Sequence, residues 1–341
     1  FESGKTQKVW SMDLDTGRRE ELTSFRHQRY NGGTLSPGGD WISLGRFTNL
    51  EGDLYFHDPV FYNMKTGNIK ETSGMSTYED IIWFNGRPGA ITRGGTSYDL
   101  SNGKAVRLIH GSDIWAVGIR PSPDDTRVAI FTTEDDNKPV KLIIADTAGK
   151  MLKSVDMPFY NAREADGIYF VPLCFDWVDD DTLITEGWDS SRNESSIYLI
   201  RLSDRTVREI VKNAYRPVAS PDRKVLAITM RSPGEQYEGA GSIRLIDGDG
   251  SILQEISKEN LGESGFPGYN LMWGPDSKRL YILNTAETYN NSSDRFIFIW
   301  DTDAKSGNRI NLHKDESFTV LGISENGKEL ICTNQEALPG P

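Results

Sequence analysis

The histidines are the residues of this sequence best suited to acid–base or metal chemistry. Of the four in the chain, His27, His110 and His313 fall between predicted strand pairs. There they could meet carboxylates as metal ligands or as an acid and a base. A local metal motif would show close ligand spacing such as His-Glu-x-x-His, which this chain lacks. We therefore expect surface or hydrogen-bonded histidines, no bound metal and no other cofactor.

Acidic residues are concentrated in short runs. A calcium loop needs oxygen ligands at alternating positions and a glutamate at its twelfth position, and none of the runs completes that pattern. Aspartate is also a common turn residue, because its side chain accepts hydrogen bonds from nearby backbone N–H groups. We interpret the runs as turns rather than cation sites: residues 134–136, 179–181, 247–249 and 301–303.

Nucleophile and phosphate motifs are incomplete. Ser264 lies in the string Gly-Glu-Ser-Gly-Phe, which lacks the final glycine of a Gly-x-Ser-x-Gly elbow and any helical pattern after it. The sequence contains neither a complete dinucleotide loop nor a complete Gly-Lys-Ser/Thr phosphate loop. Cys174 and Cys332 lie in apolar, strand-like runs of non-adjacent repeats. We expect two free, buried and unreactive thiols.

Composition and charge exclude several partners. The chain has 341 residues, with 38 Lys and Arg against 50 Asp and Glu, which gives a formal net charge of −12. That charge repels nucleic acid and anionic membrane surfaces. No apolar run approaches the ~20 residues of a membrane span, so no membrane insertion is expected. The content of glycine, proline and aromatic residues favours short strands with tight turns, and we expect a monomeric all-β protein.

An internal repeat indicates the elements that must position any site. An apolar strand, a turn of the Ser-Pro-Asp-Gly type and a second apolar strand recur seven times, with a mean spacing of about 48 residues. Trp83, Trp177 and Trp273 occupy the same place before the turn in three copies, which predicts a packing position between repeats. The seven turns lie at residues 36–39, 83–86, 122–125, 177–180, 220–223, 274–277 and 324–327.

A second hairpin pattern alternates with the first. Its turns lie at residues 15–17, 65–67, 101–103, 147–149, 203–205, 247–250 and 303–307. Two hairpins in each repeat give four strands, which is the signature of a propeller blade. The sequence therefore predicts one domain over residues 1–341, with repeats from about 8 to 334: a seven-bladed β-propeller of four-stranded antiparallel blades.

The order of the hairpins predicts how the ring closes. The chain opens with an outer pair of strands at 9–14 and 18–22, and it ends with an inner pair at 319–323 and 329–332. Each pair alone would leave an exposed sheet edge. Pairing the N-terminal outer strands with the C-terminal inner strands would complete the seventh blade.

The repeat resembles the WD40-like repeat of TolB-type β-propellers, and it is also similar to the propellers of prolyl-oligopeptidase-like enzymes and oligogalacturonate lyases. The resemblance covers essentially the whole repeat region and implies the fold. It does not specify a function, since these relatives include scaffolds, peptidase gates and lyases. The chain departs from TolB itself in having seven repeats rather than six blades, and the stretch given carries no helical pattern that corresponds to the separate α/β domain of TolB.

The resemblance also suggests a location. The sequence begins at Phe1 rather than Met, so we expect that a signal peptide, a membrane anchor or another domain preceded it. Together these two features predict an extracytoplasmic protein: periplasmic, cell-surface or secreted.

The two faces of such a propeller should differ. In similar propellers both kinds of turn emerge on one face, here called the short-turn face. The loops between blades and between second and third strands emerge on the other, here called the long-loop face. Long loops on a rigid scaffold commonly bind partners. The long segments are residues 23–32, 158–172, 187–196, 231–242, 257–268 and 285–295.

Aromatic and charged residues in these segments are the candidate binding residues. Such side chains are typical of interface hot spots and of sugar-binding clefts. The set comprises Arg26, His27, Arg29, Tyr30, Phe159, Tyr160, Arg163, Trp188, Arg192, Tyr237 and Tyr289.

The sequence leaves more than one function open. Its incomplete catalytic motifs and one elaborated face favour a non-catalytic scaffold that binds a protein or a polysaccharide. A carbohydrate-active lyase or hydrolase with its acid and base at the channel mouth is the alternative, because dispersed catalytic residues leave no motif. A third possibility is the propeller of a larger peptidase.

Overall fold

The structure is a computed structural model that describes residues 6–26, 30–51, 54–72, 81–92, 94–109, 115–133, 138–160, 173–189, 194–231, 240–261, 270–284, 296–312 and 318–334. In this part of the chain, 28 strands form seven four-stranded antiparallel sheets. One helix of four residues, α1 (Lys258–Leu261), follows the fifth blade. The predicted seven-bladed propeller is confirmed.

The first three blades follow one another along the chain. Blade 1 comprises β3 (Tyr30–Leu35), β4 (Trp41–Glu51), β5 (Leu54–Asn63) and β6 (Ile69–Glu71). Blade 2 comprises β7 (Ile81–Trp83), β8 (Gly89–Thr92), β9 (Thr96–Asp99) and β10 (Ala105–Arg107). Blade 3 comprises β11 (Trp115–Pro121), β12 (Arg127–Thr133), β13 (Lys141–Asp146) and β14 (Met151–Asp156).

The next three blades repeat this order. Blade 4 comprises β15 (Phe175–Trp177), β16 (Thr182–Asp189), β17 (Glu194–Arg201) and β18 (Thr206–Lys212). Blade 5 comprises β19 (Ala214–Ala219), β20 (Leu226–Arg231), β21 (Ala240–Ile246) and β22 (Ile252–Ser257). Blade 6 comprises β23 (Asn270–Trp273), β24 (Arg279–Asn284), β25 (Phe296–Asp301) and β26 (Ser306–Asn311).

Blade 7 joins the two ends of the chain. It comprises β27 (Phe318–Ile323), β28 (Glu329–Asn334), β1 (Thr6–Asp13) and β2 (Arg19–Arg26). Strands β1 and β28 are antiparallel, and their ladder runs from the pair Val9 and Thr333 to the pair Asp13 and Glu329. The sheet order β2-β1-β28-β27 is the arrangement that the unpaired terminal hairpins predict.

Blade 7 also corrects the expectation of a long loop at residues 23–32. Strand β2 continues to Arg26 and β3 begins at Tyr30, so most of that segment is strand. The reason is Phe25, which is buried between blades 7 and 1 and makes an edge-to-face contact with Tyr62, with ring centroids 5.4 Å apart. Burying this ring holds the outer strand in the sheet beyond its predicted end.

The hydrophobic core is divided among the junctions between blades. The buried apolar residues described by the structure form seven clusters, and each cluster joins two adjacent blades. This division follows from the strand period of two, because alternate side chains of each blade pack against opposite neighbours. Contacts between successive innermost strands run from β27 through β3, β7, β11, β15 and β19 to β23, so these edges surround a central channel.

The three repeated tryptophans lie at these junctions, as predicted. Trp83, Trp177 and Trp273 are buried, and each indole N–H donates a hydrogen bond to the preceding blade. The acceptors occupy equivalent positions of β3, β11 and β19: Thr34 Oγ1 at 2.9 Å, the Arg120 carbonyl at 3.4 Å and the Val218 carbonyl at 3.1 Å. Each tryptophan therefore fixes the registration of two blades as well as filling space between them.

Aspartate and asparagine side chains form the outer turns of the short-turn face. Asp13 Oδ1 accepts the N–H groups of Asp15 and Thr16, and Asn63 does the same on blade 1. The acidic runs at 247–249 and 301–303 contain such turns, because Asp247 and Asp301 each accept the N–H two residues on. Asp179 makes the same bond in the run at 179–181, which belongs to the inner turn of blade 4. The last predicted turn is shorter than expected, since β26 already begins at Ser306.

Candidate binding surface at the long-loop end of blades 3 to 5

Much of the predicted binding set lies outside the residues that the structure describes. These candidates are His27, Arg29, Arg163, Arg192, Tyr237 and Tyr289, and the histidines His110 and His313 are also outside. Arg26 ends β2 and Tyr30 begins β3, but their side chains are not among those described. Three predicted residues can be placed in full: Phe159, Tyr160 and Trp188.

Tyr160 and Trp188 are brought together by their backbones. Each donates its N–H to the carbonyl of the other at 3.0 Å, which forms an isolated antiparallel bridge between the segment after blade 3 and the end of β16. Both residues are half-buried, so part of each ring reaches solvent. The bridge fixes two aromatic residues side by side where the long loops of blades 3 and 4 begin.

Arg231, at the end of β20, completes the surface and was not among the predicted residues. Its guanidinium carbon lies 5.8 Å from the centre of the Trp188 ring, within the range of a cation–π contact between blades 4 and 5. Its Nε atom is buried and has no hydrogen-bond partner among the described residues. The sequence signal that marks Arg231 is a charged residue ending an apolar strand at the start of a long loop.

Phe159 corrects the prediction, because it belongs to the core. Its ring is fully buried between blades 3 and 4, where it stacks on Tyr198 with a centroid distance of 4.6 Å. A Cβ on Gly187 would lie 2.4 Å from this ring, so the strand has room only for glycine there. A ring enclosed in this way cannot contact a ligand, and the candidate surface consists of Tyr160, Trp188 and Arg231.

A buried carboxylate lies one pleat below this surface. Glu186 of β16 is only 5% exposed. Its Oε1 accepts the N–H of Cys174 at 3.0 Å, and its Oε2 accepts the N–H of Arg216 on blade 5 at 2.8 Å. The two bonds connect the residue that precedes β15 on blade 4 to β19 on blade 5, and they give the carboxylate the partners that a buried charge needs.

Both cysteines are free, as predicted, although Cys174 precedes β15 and is half-buried rather than enclosed in a strand. Burial raises the pKa of the Cys174 thiol, and the Glu186 carboxylate raises it further. Burial likewise raises the pKa of the Cys332 thiol. Both thiols are therefore protonated at neutral pH, and neither is an activated nucleophile.

The described part of the chain contains no group of three or more histidine, cysteine, aspartate or glutamate side chains arranged to hold a metal ion. Its helix, α1, is too short to cross a membrane.

Comparison by sequence gives no relative: no protein-family model and no curated protein matches the chain. Comparison by structure gives propellers. A TolB-like protein from Agrobacterium tumefaciens is 12% identical, with 98% of this chain and 100% of that chain covered and a TM-score of 0.51. Oligogalacturonate lyase in complex with manganese is 12% identical, with 99% of each chain covered and a TM-score of 0.62.

A third propeller comes from a protease. The β-propeller domain of the Trilobed protease from Pyrococcus furiosus is 12% identical, with 91% of this chain and 94% of that domain covered and a TM-score of 0.57. Identities this low establish the shared fold alone, since one fold hosts many activities. The resemblance to TolB-like and related propellers is therefore a resemblance of architecture.

Proposed function

We propose that this propeller is a binding module that engages a protein or a polysaccharide through its long-loop face, outside the cytoplasm. The observation that carries the proposal is the contact between Arg231 and Trp188, with Tyr160 bridged beside it. Tryptophan, tyrosine and arginine are the residues most enriched at interface hot spots. Here all three are half-buried, with Trp188 and Arg231 on the ends of strands and Tyr160 held by its bridge to Trp188, so they are positioned before a partner arrives.

The electrostatics of the surface support a partner with hydrogen-bond acceptors. Arg231 Nε is a donor that no described residue uses. Because Nε itself is buried, a protein carbonyl, a carboxylate or a sugar hydroxyl could accept from the terminal N–H groups of the same guanidinium. The location is proposed from the similarity to TolB-type propellers rather than from a feature of the described residues.

The test is a quantitative capture experiment with purified variants. The wild-type protein and the variants Trp188→Ala and Arg231→Gln are immobilised and exposed to the envelope and secreted fractions of the source organism. Lys65→Ala is the matched control, because Lys65 lies on the short-turn face, where it pairs with Asp40 at 2.5 Å. Partners lost by the first two variants but kept by the control are purified, and their Kd values are measured.

Two results would contradict the proposal. Partner loss with Lys65→Ala but not with the long-loop variants would place the function on the opposite face. Turnover of an acidic polysaccharide by the wild-type protein would favour the alternative of a carbohydrate-active lyase or hydrolase. The similarity of the fold to that of oligogalacturonate lyase suggests this alternative.

A further inference from the structure

Exposed apolar side chains of this propeller lie on the outermost strands. Among the described residues six large hydrophobic side chains are exposed, and all six belong to the fourth strand of a blade: Leu22, Ile69, Met151, Leu152, Ile252 and Leu253. Four of them form two adjacent pairs, one at the start of β14 on blade 3 and one at the start of β22 on blade 5. Single exposed apolar residues are ordinary, whereas pairs at equivalent places indicate a contact surface.

The two pairs follow the same kind of turn. On blade 3, Asp146 Oδ1 accepts the N–H groups two and four residues on, at 3.0 and 2.9 Å. On blade 5, Asp247 Oδ1 accepts the equivalent N–H groups at 3.0 and 2.9 Å. Gly149 and Gly250 complete the turns with φ values of +86° and +92°. The two turns therefore hold the apolar pairs in equivalent positions at the short-turn ends of their blades.

A β-bulge lies at each apolar pair. Leu152 lies between two residues that pair with consecutive residues of β13, so it is an extra residue in the ladder. Leu253 occupies the same place against β21. Bulges in an edge strand hinder its pairing with a further strand. A partner would therefore meet these places through side chains and not by extending the sheet.

The two places carry opposite charges. Residues 150–153 form the blade 3 patch, where Lys150 and Lys153 flank the apolar pair and form no ion pair with another described residue. Residues 249–253 form the blade 5 patch, which contains the exposed Asp249. Asp249 likewise has no ion pair within the described part of the chain, whereas the nearby Glu255 lies 3.3 Å from Arg244. One patch is positive and the other is negative, so each is complementary to the other.

We propose that two copies of this chain bind each other through their short-turn faces, with the blade 3 patch of each copy on the blade 5 patch of the other. A two-fold axis through blade 4 and the central channel exchanges blades that are equally distant from blade 4. One operation therefore forms both contacts, and the assembly closes as a dimer. The composition led us to expect a monomer, and this proposal replaces that expectation.

The size and charge of the patches predict a weak dimer. Four exposed apolar side chains per copy are a small core, since stable interfaces bury about 800 Å² per partner. Each copy has a net charge of −12, which repels a second copy at long range. At about 0.15 M salt the Debye length is about 8 Å, so this repulsion is screened while ion pairs in contact remain. We therefore expect a dimer that forms at micromolar rather than nanomolar concentrations.

The experiment is sedimentation velocity of the full chain in about 0.15 M salt, from about 1 μM to about 300 μM protein. The wild type should pass from monomer to dimer and assemble no further. The variant Lys150→Glu, Lys153→Glu makes both patches negative, and Asp249→Lys makes both positive. Each variant alone should dimerise at least tenfold more weakly. Mixing the two should restore dimers, as 1:1 heterodimers, because every negative patch again meets a positive one.

The matched control is Lys141→Glu, Lys212→Glu, at the long-loop ends of β13 and β18. It changes the net charge as much as the double variant of the blade 3 patch, and it should dimerise like the wild type. All variants should melt near the wild-type temperature, because they change surface side chains. The proposal is overturned if the wild type stays monomeric or assembles beyond a dimer, if the mixture restores nothing, or if the control is equally weakened.

Discussion

Neighbouring residues at the long-loop end of blade 4 have opposite roles, because successive side chains of a strand point to opposite faces. Gly187 faces blade 3 and accommodates the buried ring of Phe159, whereas Trp188 faces blade 5 and meets Arg231. The sequence places Phe159 and Trp188 in long segments of similar composition, so composition cannot separate them. Orientation decides which aromatic residue is core and which is available for binding.

This difference predicts the effect of truncating each ring. Phe159→Ala should destabilise the fold by about 3–5 kcal/mol, because it removes a fully buried ring and leaves a cavity. Trp188→Ala should cost only about 0.5 kcal/mol, as is usual for residues near the surface. Urea unfolding of the two variants measures both values. Equal losses would mean that Trp188 is also part of the core.

The tryptophans between blades allow the contributions of packing and of hydrogen bonding to stability to be measured separately. Trp273→Ala should cost about 3–5 kcal/mol through lost burial. Trp273→Phe keeps most of the ring but leaves the Val218 carbonyl without its indole donor, so about 1–3 kcal/mol should be lost. Thermal melting of both variants tests the order. A phenylalanine variant as stable as the wild type would show that the 3.1 Å hydrogen bond contributes nothing.

At the scale of elements, the turns were predictable and the loops were not. The inner turns repeat because Ser122, Ser220 and Ser324 each accept the N–H five residues on, and that geometry needs serine at a fixed position. Such local chemistry is visible in the sequence. The extension of β2 to Arg26 depends on Phe25 meeting Tyr62 of another blade, and the surface of Tyr160, Trp188 and Arg231 depends on segments of different repeats. Contacts between distant segments leave no local pattern.

The hydrogen bonds of the outer turns predict how the free energy of unfolding depends on pH. Hydrogen bonds from Thr16 lower the pKa of Asp13, those from Ser101 lower the pKa of Asp99, and those from Ser251 lower the pKa of Asp247. A carboxyl whose pKa falls on folding contributes stability above its unfolded pKa of about 3.9. That contribution is lost as pH falls through the folded pKa.

Replacing these three aspartates with asparagine should remove their contribution to the pH dependence of stability. The turns should be kept, because Asn63 accepts the same backbone N–H groups on blade 1. The variant Asp13→Asn, Asp99→Asn, Asp247→Asn should lose less stability than the wild type between about pH 4 and pH 2, as measured by urea midpoints. Asp156→Asn is the control, since that carboxylate is 86% exposed. An unchanged acid response in the triple variant would show that the turns do not drive acid unfolding.

The junctions alternate in character around the ring. The repeated tryptophans lie on blades 2, 4 and 6, each facing the blade before it. The equivalent positions on the odd blades hold Leu35, Pro121, Ala219 and Ile323. Because the number of blades is odd, a tryptophan on every second blade cannot continue all the way around the ring. Blades 7 and 1 therefore meet without a tryptophan, and Leu35 occupies the position before the turn. Their shared cluster is aliphatic except for Phe25 and the ring of Tyr62.

At the scale of the whole molecule, stability depends on blade 7 being complete. Deleting residues 8–22 removes most of β1 and half of β2 and exposes the edge of β28. We expect this truncated chain to lose the cooperative melting transition of the full chain. A synthetic peptide of residues 6–26, which forms the missing hairpin, should restore it when added in excess. A truncated chain that melts like the full chain would show that the closure contributes little.

The antiparallel ladder between β1 and β28 has a mechanical consequence. Because Val9 pairs with Thr333 and Asp13 with Glu329, Thr6 and Asn334 lie at the same end of the ladder. A force that pulls these two points apart loads the hydrogen bonds one after another, as in opening a zipper, instead of loading them all at once in shear. The ring is therefore weakest to tension applied between its own first and last strands, and a tether at only one of them leaves the seam unloaded.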